Sequence, residues 1–129
     1  MQVQSAAAAA QPARILVLED DVFNAMLMEE ALQAAGHEVV GPALTIPRAM
    51  KLLEDGAVDA AVIDLQINDD VSFDVGRRLD ELQIPWAITT GHAPNAIAPR
   101  FSHVRVLPKP FTVASLLKFV DATLQSRLG

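Results

Sequence analysis

Reactive or charged side chains follow four apolar runs of this sequence, each at the point where the run stops. In chain order they are Glu19 with Asp20, then Asp64, Thr90 and Lys109. The carboxyl ends of parallel strands open on one edge of an α/β sheet, and ligands bind in the crevice there. Carboxylates, a lysine and a hydroxyl gathered at one edge have the composition of a metal-assisted phosphoryl-transfer site.

Each group has a defined chemical use in such a site. Three carboxylates packed together repel one another, and a magnesium ion relieves the repulsion while taking phosphate oxygens as further ligands. Asp64 beside the metal is the candidate nucleophile that would form an aspartyl phosphate. Lys109 and the Thr90 hydroxyl would each neutralise a phosphoryl oxygen. Pro108 and Pro110 stiffen the loop that aims the lysine.

The same residues also have purely structural interpretations. Glu19 and Asp20 could begin a helix, where acids favour the positive end of the helix dipole. Asp64 could be a turn former, Lys109 a solvated loop residue, and Thr90 an ordinary β-branched strand residue. Their coincidence at one predicted sheet edge favours the phosphoryl-transfer site.

The elements that would position these residues alternate along the chain. Strands are predicted at residues 14–18, 39–40, 60–63, 84–89 and 104–107. Helices are predicted at residues 22–35, 45–54, 73–82 and 113–128, with a short one near 95–98. Strict alternation and right-handed crossovers predict an α/β fold, the flavodoxin-like (βα)5 three-layer sandwich with a parallel sheet in the order 2-1-3-4-5.

Local signals mark the ends and faces of these elements. Asp21 is the predicted N-cap of the first helix and Gly36 its stop, and Gly41–Pro42 is predicted to end the second strand. Thr112 is the predicted cap of the last helix. The residues at helical spacing on the first helix, predicted to be its apolar face, are Met26, Leu27, Ala31 and Leu32.

Composition bounds the domain count and the class of partner. The 129 residues, 51% of them apolar, fit one domain, predicted at residues 13–129 after a flexible Ala/Gln-rich tail at 1–12. A net charge of −6 argues against binding nucleic acid or an anionic membrane. The absence of cysteine fits a reducing cytoplasm, and no apolar run approaches the ~18 residues of a membrane span.

Competing sites are weakly supported. No glycine-rich phosphate loop follows the first strand. The histidines, expected at the surface or in loops and not at metal-binding spacing, are His37, His92 and His103. The acids after Asp64, expected in a solvated loop, are Asp69, Asp70 and Asp74.

Together these residues resemble the receiver domain of bacterial two-component response regulators. The resemblance is carried by the segment from Ile15 to Asp21, by Asp64, and by Lys109-Pro110-Phe111, and it covers residues 14–128. It implies that Glu19, Asp20, Asp64 and the backbone carbonyl of Gln66 bind magnesium, with Asp21 as a cap and not a ligand. Asp64 would accept a phosphoryl group from a histidine kinase or a histidine phosphotransfer protein, and the domain would act on a downstream protein target.

A finer resemblance is to the single-domain FATGUY regulators, whose fourth strand reads Pro-Phe-x-Phe-Ala-Thr-Gly-Tyr. Here residues 85–92 read Pro-Trp-Ala-Ile-Thr-Thr-Gly-His, in which Trp86 keeps an aromatic residue. The departures from the subfamily are Ile88 for Phe, His92 for Tyr, Asn68-Asp69 for a Gly pair and Asp74 for Pro. The aromatic residue usual on the last strand of receivers is missing, since residues 104–107 read Val-Arg-Val-Leu. We therefore expect the segment 92–101 to become ordered when Thr90 engages the phosphoryl group.

Four functions remain open at this point. A receiver without its own output domain would not be an enzyme beyond its own phosphorylation and dephosphorylation. The chain could instead be cut from a larger regulator or hybrid kinase, or be a pseudo-receiver that only binds partners. A magnesium-dependent phosphohydrolase is disfavoured because such enzymes carry a second acid two residues after the nucleophile, where this chain has Gln66.

Overall fold

A computed structural model describes residues 12–91 and 101–128 of the chain, with side chains described as far as residue 125. The strands are β1 (Arg14–Leu18), β2 (Glu38–Ala43), β3 (Ala60–Asp64), β4 (Gln66–Ile67), β5 (Asp70–Val71), β6 (Trp86–Thr90) and β7 (Arg105–Pro108). The helices are α1 (Val22–Ala34), α2 (Ile46–Asp55), α3 (Phe73–Glu81) and α4 (Val113–Leu128). Predictions on the tail before Pro12 and on the helix near 95–98 fall outside the described residues.

The main sheet has five parallel strands in the order β2-β1-β3-β6-β7. Counting only the strands of this sheet, the order is 2-1-3-4-5, so the predicted fold class is confirmed. The predicted boundaries of the helices and strands hold to within a few residues. The antiparallel pair β4 and β5 was not predicted, because strands of two residues carry no periodic signal.

Two apolar layers enclose the sheet. Leu16, Ile63 and Ile88 pack on one side with α2 and α3, while Val17 and Val62 pack on the other side with α1 and α4. The central strands have no solvated face, which explains why their sequences are continuously apolar rather than alternating. Among the described residues, no helix combines the length and the apolar composition that crossing a membrane would require.

The predicted end of the second strand was wrong. Strand β2 runs through Gly41–Pro42 to Ala43, with a shift of register opposite Leu16 and Leu18. Gly41 has φ +98°, in the left-handed region that glycine adopts readily. The extension matters for the site, because the Ala43 carbonyl accepts the backbone N–H of Glu19 at 3.0 Å.

The predicted apolar face of α1 was also partly wrong. Met26 and Leu27 are 54% and 47% exposed, while Ala25 and Met28 take their place in the core. Apolar residues occur all round the first turns of this helix, so their spacing fits more than one rotation about its axis. The outcome is an exposed apolar face on α1, which we define as Val22, Phe23, Met26 and Leu27.

The predicted helix caps are confirmed in their contacts. Asp21 accepts the N–H of Asn24 at 3.0 Å, and Thr112 Oγ1 accepts the N–H of Ser115 at 3.0 Å. His37 lies in a loop, as predicted, but is buried and accepts the N–H of Ala13 on Nδ1 at 3.1 Å. Burial lowers the pKa of His37.

Trp86 occupies space that Gly76 leaves empty. A Cβ atom added at Gly76 would lie 2.3 Å from the Trp86 ring. The indole Nε1–H donates to Asp80 Oδ1 at 2.8 Å, and the ring stands edge-on to Phe101 with centroids 5.2 Å apart. This arrangement locks α3 against β6 at the side of the sheet remote from α1 and α4.

Candidate functional site

The strand register aligns a row of side chains across the sheet at its carboxyl edge. Leu18 of β1 pairs with Ile63 of β3, so Glu19 and Asp64, one residue further, are level. Asp64 pairs with Thr89 of β6, and Thr89 pairs with Leu107 of β7. Because residues two apart on a strand face the same way, this row faces the α1 and α4 layer.

Three acidic residues meet at the end of this row. Ligand oxygens of Glu19, Asp20 and Asp64 all lie within 4.8 Å of one another. Backbone N–H groups hold two of them, since Asp21 N–H donates to Glu19 Oε2 at 3.0 Å and Asn68 N–H donates to Asp20 Oδ2 at 2.7 Å. The unpredicted turn between β4 and β5 supplies the second of these bonds, so it positions the carboxylate of Asp20.

Lys109 follows the edge strand β7 and reaches this acidic cluster across the end of β6. Its Nζ donates to Asp64 Oδ2 at 2.7 Å and to Glu19 Oε1 at 2.9 Å. Its backbone N–H donates to the Thr90 carbonyl at 2.8 Å, which anchors the start of the proline-flanked loop. The lysine is therefore a directed counterion of the cluster, and its interpretation as a solvated loop residue is wrong.

Burial and charge act against each other in this cluster. Burial raises the pKa of Glu19 and the charge of Asp64 adds to that rise, while hydrogen bonds from Lys109 and from the backbone of Asp21 oppose it. Burial also works to lower the pKa of Lys109, but its hydrogen bonds to Asp64 and Glu19 outweigh that effect and raise it. Burial therefore disfavours the negative charge of the cluster, and the positive charge of Lys109 offsets part of that negative charge.

The donor set fits a hard divalent cation. Magnesium prefers oxygen ligands and binds through one or two carboxylates together with phosphate oxygens. Glu19, Asp20 and Asp64 offer carboxylate oxygens at one place, and Asp64 is only 7% exposed. When bound, such an ion would neutralise charge that develops on a transferred phosphoryl group.

The remaining predicted site residues lie next to the cluster along the chain. The Gln66 N–H donates to Asp64 Oδ1 at 3.4 Å, while the Gln66 side chain is exposed. Thr90 is buried at the end of β6, where it pairs with Pro108. The roles of the Gln66 carbonyl and of the Thr90 hydroxyl stay predictions.

Sequence reasoning missed Thr89. It pairs directly with Asp64 and belongs to the row defined above, whereas Thr90 follows at the next position of the strand. Only an alignment of β6 against β3 to a single residue would have identified it. The other acids near Asp64 are exposed, as predicted, although Asp70 lies in β5 and Asp74 lies in α3 beside Arg77.

The sequence matches a known protein family over most of its length. Residues 15–121 match the family model described as the response regulator receiver domain. The transcriptional regulatory protein PdtaR of Mycobacterium tuberculosis is 26% identical over an alignment of 117 residues that covers 88% of this chain and 57% of PdtaR. The chain therefore spans little more than half of that relative.

Two solved structures extend the comparison. SdrG from Sphingomonas melonis Fr1 is 32% identical, with a TM-score of 0.77, over 88% of this chain and 97% of that one. A CheY-like receiver domain protein from Methanospirillum hungatei JF-1 has a TM-score of 0.81 at 20% identity, covering 92% of this chain and 98% of that one. The second likeness, at its low identity, supports the fold alone.

Proposed function

The chain belongs to the response regulator receiver domain family, and on that premise we propose that Asp64 accepts a phosphoryl group from a histidine kinase or a histidine phosphotransfer protein. One observation carries the proposal: the Lys109 ammonium lies 2.7 Å from Asp64 Oδ2 at the edge of a cluster of three carboxylates. That arrangement pairs a candidate nucleophile with a fixed positive charge beside a site suited to a divalent cation.

In the proposed transfer a carboxylate oxygen of Asp64 forms a bond to phosphorus. The bond from phosphorus to the imidazole nitrogen of the donor breaks, and that nitrogen keeps the electron pair. Glu19, Asp20 and Asp64 would hold magnesium, with the Gln66 carbonyl as a further ligand. Lys109 and the Thr90 hydroxyl would bind phosphoryl oxygens and so favour the transfer.

The test is intact mass after incubation with magnesium and a small-molecule phosphodonor. We expect one added phosphoryl group on the wild-type protein, and none on the Asp64→Ala variant or when magnesium is chelated beforehand. Asp69→Ala is the matched control, since Asp69 is an exposed acid five residues away. It should be phosphorylated like the wild type.

Two results would contradict the proposal. Phosphorylation of the Asp64→Ala variant would place the acceptor elsewhere. If no protein gains mass, a magnesium titration followed by amide chemical shifts separates the alternatives. Shifts at Asp64 and its neighbours would leave a receiver that requires its kinase, and their absence would identify a pseudo-receiver.

We further propose that the domain acts in the cytoplasm as a single-domain receiver of the FATGUY type. The fourth-strand residues Pro85, Thr90 and Gly91 support this subfamily, and Trp86 keeps an aromatic residue where the family pattern has phenylalanine. The 32% identity to SdrG across nearly all of that chain is compatible with a receiver standing alone. The output would then be a changed contact with a downstream protein target.

The exposed apolar face of α1 is our candidate docking surface for the phosphodonor. A cleft of about 260 Å³ beside it is lined by Asn24, Leu27, Lys109, Pro110 and Phe111, so this face adjoins the loop that carries the lysine. Phe23 is 85% exposed, a costly position for an aromatic ring unless a partner covers it. A protein docked there would bring its phosphohistidine close to Asp64.

Replacing Phe23 with serine tests this surface. We expect phosphotransfer from the protein donor to slow about tenfold, the loss of one modest hot spot at an interface. Transfer from a small-molecule phosphodonor should not change, because Phe23 is 85% exposed and is not part of the acidic cluster of Glu19, Asp20 and Asp64. Leu82→Ser, at an exposed apolar position after α3, is the control and should leave both rates unchanged. Equal slowing with both donors would refute the docking role.

A further inference from the structure

Thr89 carries a buried hydroxyl group without a hydrogen-bond partner. Its side chain is 1% exposed, and among the side-chain nitrogen and oxygen atoms buried within residues 12–91 and 101–125 only its Oγ1 lacks a partner. Buried hydroxyl groups are nearly always satisfied, because removing one from water without replacing its hydrogen bonds is unfavourable. A structure that keeps such a group needs a reason for it.

The position of Thr89 suggests the reason. Thr89 lies between Asp64 and Leu107 in the row across the sheet, with about 4.8 Å separating neighbouring strands. Lys109 leaves the sheet two residues after Leu107, yet its Nζ is bonded to Asp64 on the other side of β6. The lysine side chain must therefore cross β6 on the face where Thr89 lies.

The lysine can donate to more acceptors than it now uses. An ammonium group has three N–H donors. Two of them donate to Asp64 and Glu19, and no described residue accepts from the third. The Thr89 hydroxyl, which has no hydrogen-bond partner, therefore lies beside the Lys109 side chain, whose ammonium has one unused N–H donor.

We propose that Thr89 is a positioning residue for Lys109: its Oγ1 accepts a hydrogen bond from Nζ when the lysine releases Glu19. This inference rests on the proposed function, since the release is expected when the carboxylates turn to a divalent cation. Glu19 lies on the β1 side of Asp64 and Thr89 on the β6 side. Repulsion from a cation held by the carboxylates would therefore move the ammonium towards Thr89.

The test removes the hydroxyl in two ways and keeps it in a third. Thr89→Val and Thr89→Ala delete it, and Thr89→Ser retains it. Thr123→Val is the matched control, because Thr123 is also buried but its hydroxyl donates to the Phe119 carbonyl at 2.9 Å. The first readout is the dissociation constant for magnesium alone, followed by amide chemical shifts.

We expect the magnesium dissociation constant to rise about tenfold in Thr89→Val and Thr89→Ala, the effect of one hydrogen bond to a charged group. In Thr89→Ser and Thr123→Val it should stay within about twofold of the wild type. The second readout is the melting temperature without magnesium. It should be unchanged or higher in Thr89→Val, because the orphan hydroxyl is gone, and lower in Thr123→Val.

Several outcomes would overturn the inference. Unchanged magnesium affinity in both Thr89→Val and Thr89→Ala would show that the Thr89 hydroxyl has no part in magnesium binding. Equal weakening in Thr89→Ser would assign the effect to the methyl group, and a large drop in the melting temperature of Thr89→Val would assign Thr89 a structural role. If the wild type accepts no phosphoryl group from a small-molecule phosphodonor or from a phosphorylated histidine kinase, while Thr89→Val still weakens magnesium binding, the positioning role stands and the proposed function fails.

Discussion

Replacing Lys109 with methionine is expected to lower the free energy of unfolding by about 3 kcal/mol at neutral pH without magnesium, the usual cost of breaking a buried ion pair. Methionine keeps most of the aliphatic length but leaves Glu19 and Asp64 facing each other without their ammonium partner. Both carboxylates are buried, so water cannot replace the lost contacts. Urea unfolding of the variant against the wild type measures the difference.

The loss from Lys109→Met should depend on pH and on magnesium. The pKa of Glu19 is raised above 4.5 already in the wild type, and removing the ammonium raises it further. The penalty is therefore present while Glu19 is ionised and disappears as the pH falls from 7 through that raised pKa. Millimolar magnesium should restore much of the stability at pH 7, because binding to the folded state alone stabilises it.

A surface lysine provides the control for Lys109→Met. Lys51 pairs with Asp55 one helical turn away and is well exposed, so Lys51→Met should cost less than about 1 kcal/mol at any pH. If the two variants lost similar stability, or if the loss at Lys109 ignored both pH and magnesium, the lysine would not be the counterion of the cluster.

A methyl group added at Gly76 is expected to destabilise the protein by about 2–3 kcal/mol, as overpacking of a close-packed core does. The new Cβ would lie 2.3 Å from the Trp86 ring, a distance that real contacts do not show. Trp86 cannot yield easily, since its hydrogen bond to Asp80 and its contact with Phe101 fix it. Alanine's better helix propensity, about 1 kcal/mol, offsets only part of the cost.

The Gly76→Ala effect should vanish when the obstructing ring is made smaller. In a Trp86→Leu background, Gly76→Ala should be neutral or stabilising, and a double-mutant cycle by chemical denaturation measures that coupling. Gly56→Ala is the control, because a Cβ there would come no closer than 3.6 Å to a non-adjacent atom. Additive losses from Gly76→Ala and Trp86→Leu would refute the packing argument.

The fold and most of the candidate site were predictable from sequence because both follow from sheet topology. Continuous aliphatic runs identify buried strands, and their alternation with helices leaves few arrangements. Once β1 and β3 are neighbours, Glu19 and Asp64 must meet at one edge. Lys109 follows as well, because its strand ends at the same edge and its side chain is long enough to reach across.

The features that could not be predicted from the sequence depend on a shift of one residue along a helix or strand. Met26 and Leu27 face water because the helix rotates to bury Ala25 and Met28, and the spacing of apolar residues permits both choices. Thr89 differs from Thr90 only by one step along β6, which decides the face on which a side chain lies. Tertiary packing settles such choices, and periodicity alone does not contain that information.

The exposed face of α1 has a thermodynamic consequence for whatever covers it. In the free protein, water hydrates the apolar surface formed by Val22, Phe23, Met26 and Leu27. Covering that surface releases the water and gives a negative heat-capacity change, the calorimetric mark of apolar burial. Water entropy then contributes much of the driving force near room temperature, and this contribution weakens on cooling. Salt screens charges but hardly affects the burial of apolar surface. Binding at the exposed face of α1 should therefore keep much of its strength when salt screens the protein's net negative charge.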